Sequence, residues 1–219
     1  SGRSVLSPEE QELGVCLLDI GGGTTDMIVM HAGAVKFTSV IPVGGNHITN
    51  DIAAGLRTPL AAAEEIKCRF GTALVSLVNH DETLEVPSTG GRAARVLSKF
   101  VLAEIIEPRV TEILTLAHRE LVKSGCDELL TSGLVVTGGT ASLNGLTQAV
   151  EQIFNLPVRV GLPVSMTGLT DLIRGPEYAA ATGLVLYGSQ TIQTTRSGNG
   201  ALGFGRALRK VGNWFGERF

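Results

Sequence analysis

Asp19-Ile20-Gly21-Gly22-Gly23-Thr24-Thr25-Asp26 stands between two short apolar runs, 15–20 and 25–30, that read as strands. Three successive glycines can take positive φ angles and bring backbone N–H groups close to an anion. Thr24 and Thr25 add hydroxyl donors. Asp19 and Asp26 can hold a hydrated Mg²⁺, which keeps several waters and needs few carboxylates. Three glycines alone fit a ligand-free tight hairpin equally well. The flanking acids and threonines tip the reading towards phosphate.

Working outward, a third strand is expected at 34–43, after the Ala32-Gly33 turn. Helical spacing begins near Asn46 or Thr49 and runs to Phe70, interrupted at Pro59. A short strand at 84–86 precedes the longest helical pattern, 96–123, where Pro108 should bend or restart the helix. Strands at 134–137 and 158–160 and helices at 145–154 and 176–187 complete an alternating α/β body. Residues 1–11 are polar and read as a linker, and 188–202 as a flexible tether.

A second candidate site is Val135-Val136-Thr137-Gly138-Gly139-Thr140-Ala141, a buried strand opening onto a glycine pair that can lie flat against a base or ribose. By itself this is a common packing corner. A third is Glu64-x-x-Lys67, one helix face able to reach a ribose, though an ordinary solvated ion pair explains that spacing better.

In this order and spacing the three resemble the actin/Hsp70/sugar-kinase ATPase superfamily. Within it, Gly44-Gly45-Asn46-His47-Ile48-Thr49-Asn50-Asp51-Ile52-Ala53, Ala63-Glu64-Glu65-Ile66-Lys67, Val86-Pro87-Ser88-Thr89-Gly90-Gly91-Arg92, Ile106-Glu107-Pro108-Arg109 and Thr167-Gly168-Leu169-Thr170-Asp171 resemble the FtsA family of bacterial division proteins. The resemblance implies an α/β actin-like ATPase fold with a ribonuclease-H-like lobe, in which ATP and Mg²⁺ bind between two lobes. It makes Gly21, Gly22, Gly23, Thr24 and Thr25 the second phosphate hairpin and Thr137, Gly138, Gly139 and Thr140 the adenosine motif. Glu64 and Lys67 take the ribose side, and Asp19 is a cleft acid with a catalytic place, in a protein with at most weak ATPase activity. The first phosphate hairpin has no counterpart before Asp19, so the chain is expected to be an incomplete, C-terminal half of such a protein and to bind ATP poorly by itself.

The same resemblance implies partners. The C-terminal tail of FtsZ should meet the region 51–99, with Arg69, Arg92 and Arg95 attracting an acidic peptide, although these charges can equally be merely solvated. Self-association into actin-like filaments, other divisome proteins and the cytoplasmic face of the inner membrane at the division septum are also implied.

The chain end carries its own signal. The net charge of −3 gives no reason to expect nucleic-acid binding, but residues 203–219 carry +3, leaving −6 on the rest. At 100° per residue, Phe204, Ala207, Leu208, Val211, Trp214, Phe215 and Phe219 share an arc of about 140°. Arg206, Arg209 and Lys210 lie opposite, and Arg218 falls inside the arc, where its long stem can snorkel. This pattern describes an interfacial membrane helix; the plainer reading is a helix docked on the body. The tether and the basic polar face favour membrane, and the family resemblance points the same way. No apolar run approaches the roughly 20 residues of a membrane span. Three separated cysteines, Cys16, Cys68 and Cys126, show neither zinc-ligand nor disulfide spacing.

Two function classes fit the body: a non-enzymatic adaptor that ties a filament to the membrane, and a sugar kinase or other phosphotransferase of the same fold. The tail separates them, since a soluble kinase has no use for it. Another actin-like filament protein also fits.

Overall fold

The computed structural model describes residues 1–90, 92–164 and 173–196, with the backbone alone over 190–196. The expected membrane residues Phe204, Leu208, Arg209, Lys210, Val211, Trp214, Phe215 and Arg218, and the 167–171 motif, lie outside the described residues. The chain divides into two compact units, 1–183 and 184–219.

The first unit is built on a five-stranded sheet. Its strands are β1 (Val15–Ile20), β2 (Thr25–His31), β3 (Ala34–Ile41), β6 (Leu134–Thr137) and β7 (Val158–Val160), in the spatial order β3-β2-β1-β6-β7. The hairpin and meander β1–β2–β3 is antiparallel, whereas β1–β6 and β6–β7 are parallel. The parallel strands β1 and β6 lie at the centre, which is why both are near-continuous apolar runs rather than alternating ones.

The long crossover from β3 to β6 supplies α3 (Gly45–Leu56), α4 (Leu60–Phe70) and α5 (Lys99–Ser124). One sheet face, with Leu18, Ile20 and Met27, is buried against Ile48 and Ile52 of α3 and Ile106, Ile113 and Leu114 of α5. Strand β4 (Thr83–Val86) pairs with β5 (Arg95–Ser98) in a separate two-stranded sheet. Strand β5 corrects the expected helix start at residue 96. Val96 and Leu97 are drawn into pairing with Glu85 and Leu84, and Ser98 then caps α5 by accepting the Phe100 amide at 3.2 Å. The helix continues through Pro108, which is exposed, while Ile106 and Val110 beside it are buried. Core packing by α5 therefore outweighs the roughly 3 kcal/mol an internal proline costs.

The polar start is not a linker. It forms α1 (Gly2–Val5) and α2 (Pro8–Leu13), and Val5 and Leu6 cover Val15, Leu17 and Val135 on the second sheet face together with Ala179. Ser7 and Glu10 make a reciprocal capping box at the start of α2, 2.8 and 3.2 Å. Arg159, the middle residue of β7, forks onto both Glu10 oxygens at 2.6 Å. Helix α6 (Leu146–Phe154) precedes β7. Helix α7 (Ala179–Arg196) runs past Tyr187 into the stretch expected to be a tether. No proline interrupts 188–196, and its one glycine, Gly188, is a cost of only about 1 kcal/mol.

The Arg159 guanidinium holds the Glu10 carboxyl below the usual carboxylate range, against a smaller upward pull from burial. A depressed carboxylate stabilises the fold above its unfolded-state pKa, and that stabilisation is lost as pH falls through the folded value. Glu10→Gln should therefore lower the melting temperature at pH 7, by the equivalent of about 1 kcal/mol for a partly exposed bidentate pair. Wild type and variant should converge as the pH falls below the folded value of Glu10, which paired thermal melts would check.

Candidate functional site

The hairpin between β1 and β2 places Asp19 directly opposite Asp26. Opposed residues of antiparallel strands point to the same face, so the two half-buried carboxylates stand side by side. Thr24 Oγ1 donates to Asp26 Oδ2 at 3.2 Å. These two acids, plus water, suit a hydrated Mg²⁺; among the described residues there is no cluster of three or more His, Cys, Asp or Glu able to cage a metal.

The glycine run is held from its carbonyl side. Gly21 O accepts from Gly45 N at 2.9 Å and Gly22 O from Asn46 N at 2.7 Å, both at the start of α3. In a trans peptide the C=O of one residue and the N–H of the next point in opposite directions, and no peptide here is cis. The amides of Gly22 and Gly23 therefore both point away from α3, and among the described residues neither makes a backbone hydrogen bond. Two parallel donors on an exposed turn form a cradle for an anion. Gly44 explains how α3 comes so close: a Cβ there would lie 2.7 and 2.8 Å from the Gly21 and Gly22 oxygens.

The glycine corner after β6 meets the same hairpin. Thr140 Oγ1 donates to Gly21 O at 3.2 Å. Gly138, at φ 86°, lies where a Cβ would come within 2.5 Å of Asp19 Oδ1 and of Ile20 O. Gly139 is exposed beyond it. The first two sequence motifs are thus one site.

Two expected ligand residues face inward instead. The buried Thr25 donates its hydroxyl to Val43 O at 2.8 Å. Thr137, fully buried, donates to Gly161 O at 2.8 Å, with Pro176 O at 3.2 Å. Both side chains alternate into the sheet's interior, so they brace the frame rather than present hydroxyls to a ligand.

Glu64 and Lys67 of α4 are not a solvated pair. Lys67 is 9% exposed, and its Nζ donates to Glu64 Oε2 at 2.7 Å, Thr49 Oγ1 at 2.9 Å and Gly45 O at 3.2 Å. Thr49 Oγ1 bonds to both Gly45 O, at 3.1 Å, and Glu64 Oε2. Burial pulls the Glu64 carboxyl upward, but the Lys67 ammonium and the Thr49 hydroxyl together leave it below the usual range.

The three arginines expected to meet a partner differ. Arg69, on α4, pairs with Glu65 at 2.8 Å with both side chains mostly exposed. Exposed Arg92 donates to Thr89 O at 3.3 Å. Arg95 is tied to the Leu56 carbonyl at the end of α3. Spacing alone missed Gly45, Asn46 and Thr49 as parts of the site. The Gly44-Gly45 pair opening a helix was the signal for the first of these.

The family model described as "Cell division protein FtsA" matches residues 16–183. The chain belongs to the FtsA family. It is 50% identical over 190 residues to the cell division protein FtsA of Pseudomonas aeruginosa, covering 87% of this chain and 46% of that protein. FtsA of Escherichia coli K12 is 46% identical over 198 residues, covering 87% and 47%. FtsA of Buchnera aphidicola subsp. Schizaphis graminum is 33% identical over 227 residues, covering 100% and 54%. The chain thus spans about half the length of the curated relatives it matches.

Among solved structures, MreB5 of Spiroplasma citri bound to AMPPNP superposes with a TM-score of 0.69 at 21% identity, over 88% of this chain and 58% of that one. A MamK double helical filament gives 0.59 at 13% identity, over 80% and 54%. The fold is the α/β actin-like ATPase fold, present in part.

Proposed function

We propose that the chain forms one side of an ATP cleft in a cell-division protein that ties FtsZ filaments to the membrane. The observation that carries the nucleotide reading is the pair of Gly22 and Gly23 amides, aimed one way from a turn whose carbonyls α3 holds. Asp19 and Asp26 stand beside it for a hydrated Mg²⁺, and Gly138, Gly139 and Thr140 close on it where adenosine would lie. Relatives that are cell division proteins, and structural neighbours solved with AMPPNP or as a filament, support ATP binding, self-association and a place in the divisome.

The FtsZ contact is placed on the exposed arginines of the 51–99 region. All three are exposed, but Arg95 is also tied to the Leu56 carbonyl at the end of α3, which leaves Arg69 and Arg92 as the pair to test. In full-length protein, FtsZ should be recruited to anionic vesicles only when the protein and ATP are present. Recruitment should weaken as salt rises, because exposed charges are screened beyond about 10 Å at 0.1 M ionic strength. Arg69→Glu with Arg92→Glu should lose FtsZ while keeping vesicle binding. Unchanged recruitment would move the contact to another surface, and no ATP dependence would separate the cleft from the tether.

A further inference from the structure

Lys67 is where the family resemblance and the structure part. A ribose ligand must keep a donor free, yet each of the three ammonium protons of Lys67 has a protein acceptor: Glu64 Oε2, Thr49 Oγ1 and Gly45 O. The side chain is also 10% exposed, against 48% for Glu64. We propose that Lys67 is a positioning residue for the phosphate hairpin rather than a nucleotide contact, and that it acts through Gly45.

The connection is continuous. Lys67 and Thr49 converge on Gly45 O, and the N–H of the same residue donates to Gly21 O at 2.9 Å. The next residue, Asn46, donates its N–H to Gly22 O at 2.7 Å. Holding the Gly45 peptide thus fixes the plane of the Gly21–Gly22 and Gly22–Gly23 peptides, and with them the direction of both free amides. A Cβ on Gly45 would lie 3.5 Å from Lys67 Nζ and 2.5 Å from Thr140 Oγ1, so the adenosine corner, the hairpin and the ammonium meet at this one residue. A buried cation also stays in place only while its acceptors do. Glu64, on the same helix and half exposed, is the more accessible member of the pair.

The inference rests on the nucleotide reading above and sharpens it: Lys67 should matter to phosphates and not to the nucleoside. Calorimetry on full-length Lys67→Met, with ATP, ADP and adenosine as probes, reads the difference. Affinity for ATP and ADP should fall by about tenfold, the scale of one lost charge-assisted hydrogen bond, with adenosine unchanged. An equal fall for all three would make Lys67 a direct ribose contact and overturn the proposal. Thr49→Val, which removes the hydroxyl lying between Lys67 Nζ, Gly45 O and Glu64 Oε2 but no charge, should give the same phosphate-selective loss; if it weakens adenosine equally, the proposal also fails. Hydrogen exchange on either variant without ligand adds a readout that needs no binding. The hydrogen-bonded amides of Gly21, Gly45 and Asn46 should exchange faster while those of β6 do not, and unchanged exchange at these three would overturn the proposal even if Lys67→Met folds poorly. If the wild-type full-length protein bound no ATP, the nucleotide reading itself would fail, and exchange would still decide the role of Lys67.

Discussion

Replacing Trp214 and Phe215 together by glutamate should abolish sedimentation of the full-length protein with liposomes, on every lipid mixture and at every salt concentration. On a helical wheel the two aromatics lie inside the apolar arc that also holds Phe204, Leu208 and Val211. Each large apolar side chain contributes at most about 1.5–3 kcal/mol when fully buried. A carboxylate placed among them must be desolvated without a partner, which removes the gain and adds a further cost. Arg209→Ala with Lys210→Ala should behave differently. Attraction to anionic lipid is about 1 kcal/mol per basic residue, so this pair should weaken binding about thirtyfold on anionic vesicles and change little on neutral ones. A 203–219 peptide should gain helix in circular dichroism on adding anionic vesicles. A double-glutamate variant that still sediments would remove the membrane anchor from the proposed adaptor.

The two halves of this proposal were legible for different reasons. The tail's amphipathic pattern can be read in the sequence because charge and apolarity along one short segment define it, with no distant partner required. The central strands β1 and β6 show for a similar reason, since burial on both faces leaves an unbroken apolar run. What stayed hidden was set by contacts between distant segments. Val96 and Leu97 carry helix-compatible apolar spacing, and only their pairing with β4 makes them a strand. The α1–α2 segment was different, because Ser7-Pro8-Glu9-Glu10 is a local capping-box signature that the polar composition around it obscured.

The site divides along the same line. Its glycine runs announce themselves by composition, but not which atoms they press together. Spacing makes Glu64 and Lys67 neighbours on a helix face. It cannot show that a second helix brings Thr49 and the Gly45 carbonyl onto the same ammonium, and so it cannot distinguish a solvated pair from a buried anchor. Thr25 and Thr137 fail in the opposite sense: hydroxyls beside glycines look like ligand donors until the strand's alternation turns them inward.

Gly138 and Gly139 are adjacent, chemically identical and indistinguishable in sequence, yet alanine should separate them. At Gly138 the backbone is at φ 86°, a region costly for a residue with a Cβ, and that atom would fall 2.5 Å from both Ile20 O and Asp19 Oδ1. The first neighbour is backbone of the central strand and cannot swing aside. The second is the carboxylate beside the anion cradle. The amide of Gly138 is also tied to Pro176 O at 3.1 Å, so the chain cannot relax by rotating this peptide alone. Left-handed strain of about 1–2 kcal/mol and overpacking of about 1–3 kcal/mol together predict a loss of about 2–5 kcal/mol for Gly138→Ala, read from denaturant melts. At Gly139 the nearest atom a Cβ would meet is Glu177 Cβ at 3.9 Å, an ordinary contact. Gly139→Ala should therefore melt within about 0.5 kcal/mol of wild type, as an unstrained surface change does. Its effect should appear in the full-length protein as weakened ATP and adenosine binding alike, because a methyl group there stands where a base or ribose would lie against exposed backbone. If Gly139→Ala left adenosine binding untouched, the corner after β6 would be a packing device and the nucleoside would have to be held elsewhere.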